Sequence, residues 1–133
     1  MLERDYLTRL IVMLAAALRA AAQREGGVTP DPTAKRIALE DAIGQAADMD
    51  SSVLLSLEPE SVSTVLLLGQ IDDSVAEYIC HALMMDADFL EEEGYAEAAD
   101  LRRRQAANVA ASFDFIYDPG RLPALIEAAD LEG

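Results

Sequence analysis

Residues 89–101 read FLEEEGYAEAADL, and this stretch decides the fold that we predict. Gly94 is the only glycine or proline between two long runs whose apolar residues recur at helical spacing. These runs predict helices over about residues 72–93 and 95–117, and Asp118-Pro119-Gly120 breaks the second. Because a connection this short makes neighbouring helices pack antiparallel, the sequence predicts a helical hairpin that turns at Gly94.

One charged residue interrupts each apolar stripe of this hairpin. Asp86 lies in the stripe of the first helix and Arg102 in that of the second, and each is eight residues from Gly94. In an antiparallel hairpin the two side chains should therefore face each other. Two interpretations stay open: a semi-buried ion pair that fixes the register, or a perturbed carboxylate in a functional pocket.

Further helices are predicted on both sides of the hairpin, over about residues 5–24, 32–48, 51–57, 59–68 and 122–131. Gly26-Gly27 should end the first of them, and Asp31-Pro32 should start the second. The second should bury one apolar set, namely Ile37, Leu39, Ala42, Ile43 and Ala46. With no alternating strand pattern and no long linker, residues 1–133 are predicted to be one all-α domain, a compact array of about five to seven helices.

The charge of the chain limits its partners. It carries 25 acidic and 10 basic residues, and residues 67–133 hold 15 of the acidic ones and only 4 of the basic ones. A surface this negative repels nucleic-acid phosphates and anionic lipids, so we expect neither as a partner. The single cysteine, Cys80, rules out a disulfide within the chain and favours a reducing cytoplasm.

The first helix has an unusually broad apolar surface. Nine consecutive apolar residues, 10–18, point in every direction around it, although the run is too short to cross a bilayer. Either the other helices wrap it, or a second copy of the chain covers its outer side. Four or five short helices would have difficulty enclosing it, so we predict a homodimer through this helix.

Few residues in this sequence could act in catalysis or bind a metal. His81 is the only histidine, and Glu77 and Asp88 share its predicted helix face. This trio could act in acid–base chemistry or form half of a metal site, whereas the alternative is a solvated acidic face with one pair at i, i+4 spacing. Because no catalytic or metal-binding motif occurs, we predict no catalytic residues, no cofactor and no metal.

Three acidic residues, Glu91, Glu92 and Glu93, crowd the C-terminal end of the first hairpin helix. The helix dipole disfavours negative charge there. The arginines at 102–104 lie two turns away, which we take to be too far to compensate. Either the cost is tolerated, or this acidic corner binds a protein with a basic surface.

The stretch 89–101 resembles the middle of a tetratricopeptide repeat, in which an acidic helix end, a glycine, an aromatic residue and paired alanines follow one another. This chain lacks the residue that usually separates the glycine from the aromatic, and it contains no second good copy. The opening stretch MLERDYLTRLI, residues 1–11, resembles the start of a small bacterial family of uncharacterised helical proteins. These resemblances imply an all-α, repeat-like fold and transfer no function.

Two hypotheses for function follow. The first is a non-enzymatic protein–protein interaction module that uses a groove between helices or the acidic corner. The second is a small-molecule or metal-dependent activity centred on His81 and neighbouring carboxylates. The candidate interaction or pocket residues are Glu77, His81, Asp86, Glu91, Glu92, Glu93 and Arg102.

Overall fold

The computed structural model of the chain describes residues 2–23 and 31–132, and all regular structure in these ranges is helical. The helices are α1 (Leu2–Ala22), α2 (Pro32–Ala47), α3 (Ser51–Leu54), α4 (Pro59–Leu68), α5 (Asp73–Glu92), α6 (Ala96–Ser112) and α7 (Leu122–Glu132). A 3-10 turn, Pro119–Arg121, precedes α7. The prediction of an all-α array is confirmed.

Side-chain caps fix where α2, α3 and α5 begin. The Asp31 carboxylate accepts a hydrogen bond from the backbone N–H of Ala34, and Pro32 occupies the first turn of α2. Asp50 and Asp72 cap α3 and α5 in the same manner. The predicted start signals at these positions are confirmed, whereas the stop signal at Gly26-Gly27 lies outside the described residues.

Two helices end earlier than the sequence indicates. α6 ends at Ser112 instead of near Tyr117, because Asp114 adopts a left-handed backbone with φ of 59°. The Phe115 N–H then bonds to the Ala110 carbonyl at 3.0 Å, which closes the helix end six residues before Asp118. Likewise, α3 stops at Leu54, short of residue 57.

The prediction that Ile37 is buried is wrong. The buried stripe of α2 is Leu39, Ala42, Ile43 and Ala46, and Ile37 is exposed. Two residues turn a helix by about 200°, so Ile37 and Leu39 lie on nearly opposite faces.

α1 packs against α2, α5 and α7. α6 packs along α5, α2 lies against α5, and α4 lies against α6. Of the nine consecutive apolar residues in α1, only Val12 and Ala16 are exposed. α2, α5 and α7 therefore cover most of this apolar run, and the outer face of α1, with Val12 and Ala16, stays exposed. No helix in the described part of the chain is long and apolar enough to cross a membrane.

Candidate functional site

The hairpin turn places the two charged interruptions opposite each other. Gly94 has a positive φ of 92°, and the Tyr95 N–H bonds back to the Leu90 carbonyl at 2.8 Å. α6 therefore returns along α5, and Arg102 Nε donates a hydrogen bond to Asp86 Oδ2 at 2.9 Å. The predicted ion pair between Asp86 and Arg102 is confirmed.

Arg102 connects four parts of the fold. Besides Asp86 on α5, it lies 3.8 Å from Glu40 on α2, and it donates a hydrogen bond of 2.8 Å to the Leu55 carbonyl just after α3. The side-chain amide of Gln105, one turn further along α6, donates to the same carbonyl at 3.0 Å. The pair that the sequence predicts is thus the centre of a larger polar cluster.

Glu40 and Gln105 also belong to this cluster, and neither was predicted from the sequence. A signal for Gln105 was available, since it lies three residues after Arg102 and so on the same side of α6. For Glu40 the only local sign was Arg36 at i−4, a spacing that is equally typical of exposed pairs. In the structure Arg36 donates to Glu40 at 3.2 Å and so extends the cluster along α2.

The Asp86 carboxyl is strongly perturbed. It is completely buried, and its Oδ1 atom has no hydrogen-bond partner. Burial and the neighbouring Glu40 carboxyl raise the pKa of Asp86 to about 8, against the lowering effect of Arg102. Two concavities, of about 440 and 360 Å³, lie at the α2–α3 junction and between α4 and α6, and neither is lined by Asp86.

His81 is buried, with 3% of its surface exposed, so its interpretation as part of a solvated face is wrong. Its ring lies 4.8 Å from that of Tyr117 in a tilted arrangement, and its Nε2 atom has no hydrogen-bond partner. Burial lowers the pKa of His81 and so favours the neutral imidazole. The segment after α6 folds back over α5 here, which the predicted continuation of that helix to Tyr117 did not anticipate.

The neighbours of His81 also have structural partners. Glu77 receives hydrogen bonds of 2.6 and 3.1 Å from Arg121, which joins α5 to the turn before α7. The Cys80 thiol contacts the Ala106 carbonyl, and burial raises its pKa to about 12, which keeps it protonated at neutral pH. Within residues 2–23 and 31–132 no group of three His, Cys, Asp or Glu residues could hold a metal ion.

The acidic corner at the end of α5 is compensated by arginines of the same chain. Arg103 lies 3.1 Å from Glu91, and Arg36 donates a hydrogen bond of 2.7 Å to Glu93, which lowers the pKa of Glu93. Glu92, between them, is exposed.

The expectation that the arginines lie too far away to compensate is therefore wrong. Helical side chains lean towards the N-terminus of their own helix. Across an antiparallel hairpin, Arg103 therefore leans towards the turn at Gly94, and Glu91 leans away from it. The two side chains converge even though their backbones are offset.

The structure shows exposed apolar side chains that no sequence pattern indicated. Leu67 and Leu68, in the last turn of α4, are 50% and 79% exposed, and Ile116, after α6, is 89% exposed. We call these three residues the apolar end.

The helices bring these three residues to the same end of the molecule. Ser63 on α4 donates a hydrogen bond of 2.6 Å to Asn108 on α6, while Gln105 reaches back to the Leu57 carbonyl before α4. α4 therefore runs in the same direction as α6, so that both helices end at the side of the hairpin opposite Gly94. Ile116 follows the end of α6 by four residues.

No family model, curated protein or solved structure matches this chain.

Proposed function

We propose that this protein is a non-enzymatic protein-interaction module whose apolar end binds a basic, amphipathic segment of a partner protein. The observation that carries the proposal is the exposure of Leu67, Leu68 and Ile116 at one end of the molecule. Burial of a large aliphatic side chain contributes about 1.5–3 kcal/mol, so a partner that covered these three would gain appreciable affinity.

The charge around the apolar end argues for a basic partner. Asp72 and Asp73 follow α4, and Asp114 and Asp118 flank Ile116, and all four are exposed. The basic residues in this half of the chain are engaged with other carboxylates: Arg102 with Asp86, Arg103 with Asp88 and Glu91, Arg104 with Asp100, and Arg121 with Glu77. A cationic group of a partner could therefore bind these four aspartates without displacing an arginine of this chain.

The resemblance of residues 89–101 to a tetratricopeptide repeat supports the same proposal, because such repeats commonly bind peptides, although this support is analogy. The alternative, an activity centred on His81, has less support. The imidazole is buried against Tyr117, and Glu77 is engaged by Arg121.

A pair of model peptides tests the proposal. One is a fluorescent amphipathic helix of Lys and Leu, and the other has the same pattern with Glu in place of Lys. We expect the Lys peptide alone to bind, measured by fluorescence anisotropy. The Leu68→Asp variant should weaken binding by about tenfold, because about 1.4 kcal/mol of apolar contact is lost. Val53→Asp, at another exposed apolar position, should leave it unchanged.

This design separates apolar docking from general charge attraction. Leu68→Asp makes the protein more acidic, so purely electrostatic association with the Lys peptide would become tighter. Tighter binding by Leu68→Asp, or equal losses in Leu68→Asp and Val53→Asp, would refute the proposal.

A further inference from the structure

Two carboxyl groups from different helices meet at one guanidinium group. Asp86 on α5 receives a hydrogen bond of 2.9 Å from Arg102 Nε, and Glu40 on α2 lies 3.8 Å from the NH2 atom of the same side chain. Asp86 is completely buried, and its second oxygen, Oδ1, has no hydrogen-bond partner. A buried carboxylate oxygen without a hydrogen-bond partner destabilises the folded state unless the carboxyl group is protonated.

The charges that face this pair come from the neighbouring helices. α2 contributes Glu40 and Arg36, which are 3.2 Å apart, and α6 contributes Arg102. Arg36 also lies 2.7 Å from Glu93, so its positive charge is divided between Glu40 and Glu93. α1, which also packs against α5, has exposed charged residues that do not act on Asp86: Arg4, Asp5, Arg9 and Arg19.

We propose that Asp86 and Glu40 share one proton, and that its release as the pH rises loosens α2 from the α5–α6 hairpin. With the proton present, the five groups Arg36, Glu40, Asp86, Glu93 and Arg102 carry no net charge, and Asp86 Oδ1 can serve as a hydrogen-bond donor. Without it, two adjacent carboxylates repel each other where burial prevents water from screening them.

The direction of the titration agrees with this arrangement. Burial and Glu40 raise the pKa of Asp86 to about 8. The folded state therefore keeps a proton that the unfolded chain releases at the ordinary carboxyl pKa, about 4. Stability linked to this proton is complete below the ordinary value and is lost as the pH rises from there through about 8.

Carboxyl-detected NMR of the unaltered protein tests the shared proton directly. The carboxyl carbon of Asp86 should titrate near pH 8, and this transition should move to lower pH in Glu40→Gln, because Glu40 raises the pKa of Asp86. The control is Asp88→Asn, which changes an exposed aspartate on the same helix and should leave the Asp86 transition in place. If Asp86 completes its titration in the ordinary carboxyl range, or if its transition is unchanged in Glu40→Gln, the proposal is overturned.

Hydrogen exchange tests the loosening of α2. Above the transition, amides of α2 should lose protection beyond the intrinsic effect of pH, whereas those of α4 should not. In Asp86→Asn the amide stands in for the protonated acid, so α2 should keep its protection at alkaline pH. The matched variant Asp88→Asn should behave as the unaltered protein does. If α2 lost protection equally in Asp86→Asn and Asp88→Asn at alkaline pH, the proposal would be refuted.

Discussion

At the scale of single residues, Gln105 donates hydrogen bonds to backbone carbonyls at a helix end, where water is a common partner. Its side-chain amide is completely buried on α6 and donates hydrogen bonds to the carbonyls of Leu55 and Leu57, at 3.0 and 2.9 Å. These carbonyls follow α3, where no further helical turn supplies an N–H partner. Arg102 supplies a second donor to Leu55 alone. Gln105 is therefore the side chain that satisfies Leu57.

Replacing Gln105 with methionine should destabilise the protein by about 1–3 kcal/mol. Methionine keeps a similar length but leaves the partly buried Leu57 carbonyl without its donor and removes one donor from the buried Leu55 carbonyl, and the loss of these hydrogen bonds lowers the free energy of unfolding. Urea unfolding measures the change. Gln45→Met, an exposed position on α2, serves as the control and should alter stability by no more than a few tenths of a kcal/mol. Equal effects at the two positions would show that the Gln105 hydrogen bonds contribute nothing.

The ion pair of Asp86 and Arg102 could be predicted from the sequence because register alone determines it. Both residues interrupt apolar stripes, and a one-glycine turn leaves little freedom in how the helices align. Glu40 could not be predicted, since its approach depends on how α2 lies across α5. For the same reason, the sequence identified a charged pair at Asp86 but not the second carboxyl that perturbs it.

At the scale of whole helices, the junction of α2 and α3 depends on a glycine. A Cβ atom on Gly44 would lie 2.8 Å from the Met49 carbonyl oxygen and 3.0 Å from the Ser51 backbone nitrogen. Met49 also donates its N–H to the Gly44 carbonyl at 3.0 Å, so the chain turns back tightly against the end of α2. The neighbouring atoms belong to the backbone and cannot move aside as a side chain would.

Gly44→Ala should therefore destabilise the protein, by about 1–3 kcal/mol, the usual cost of overpacking. Helix propensity alone predicts the opposite, a gain of about 1 kcal/mol. Thermal or urea unfolding separates the two effects. Gln45→Ala, next in α2 but exposed, is the control and should be neutral or slightly stabilising. A stabilised Gly44→Ala protein would mean that the α2–α3 junction opens readily.

Helix boundaries differ in how well a sequence reveals them. Starts such as Asp31-Pro32 and Asp72 were predicted, because a capping carboxylate or a proline acts locally and leaves a residue-type signal. The end of α6 was not, because Asp114 is as compatible with a helix surface as with the left-handed turn that it forms. The early end frees Tyr117 to pack against His81, which is why the environment of His81 was misjudged.

At the scale of the whole molecule, the negative charge is organised by the arginines. Arg36, Arg102 and Arg121 each join separate helices or turns by pairing with Glu93, Asp86 and Glu77. These ion pairs engage basic groups away from the apolar end and leave the apolar end acidic. Net charge and its uneven distribution were visible in the sequence, but the positions that remain exposed follow only from the folded arrangement.

The predicted homodimer through α1 depends on how much apolar surface that helix leaves uncovered. α2, α5 and α7 contact α1, and within the run 10–18 only Val12 and Ala16 are exposed, with Tyr6 exposed one turn earlier. A stable dimer buries about 800 Å² on each partner, which these side chains alone do not provide. A net charge of −15 opposes self-association further.

We therefore expect a monomer at micromolar concentration in light scattering after size exclusion at physiological salt. A dimer that Val12→Glu dissociates would instead establish the α1 interface, and a dimer that Leu68→Asp dissociates would place the contact at the apolar end.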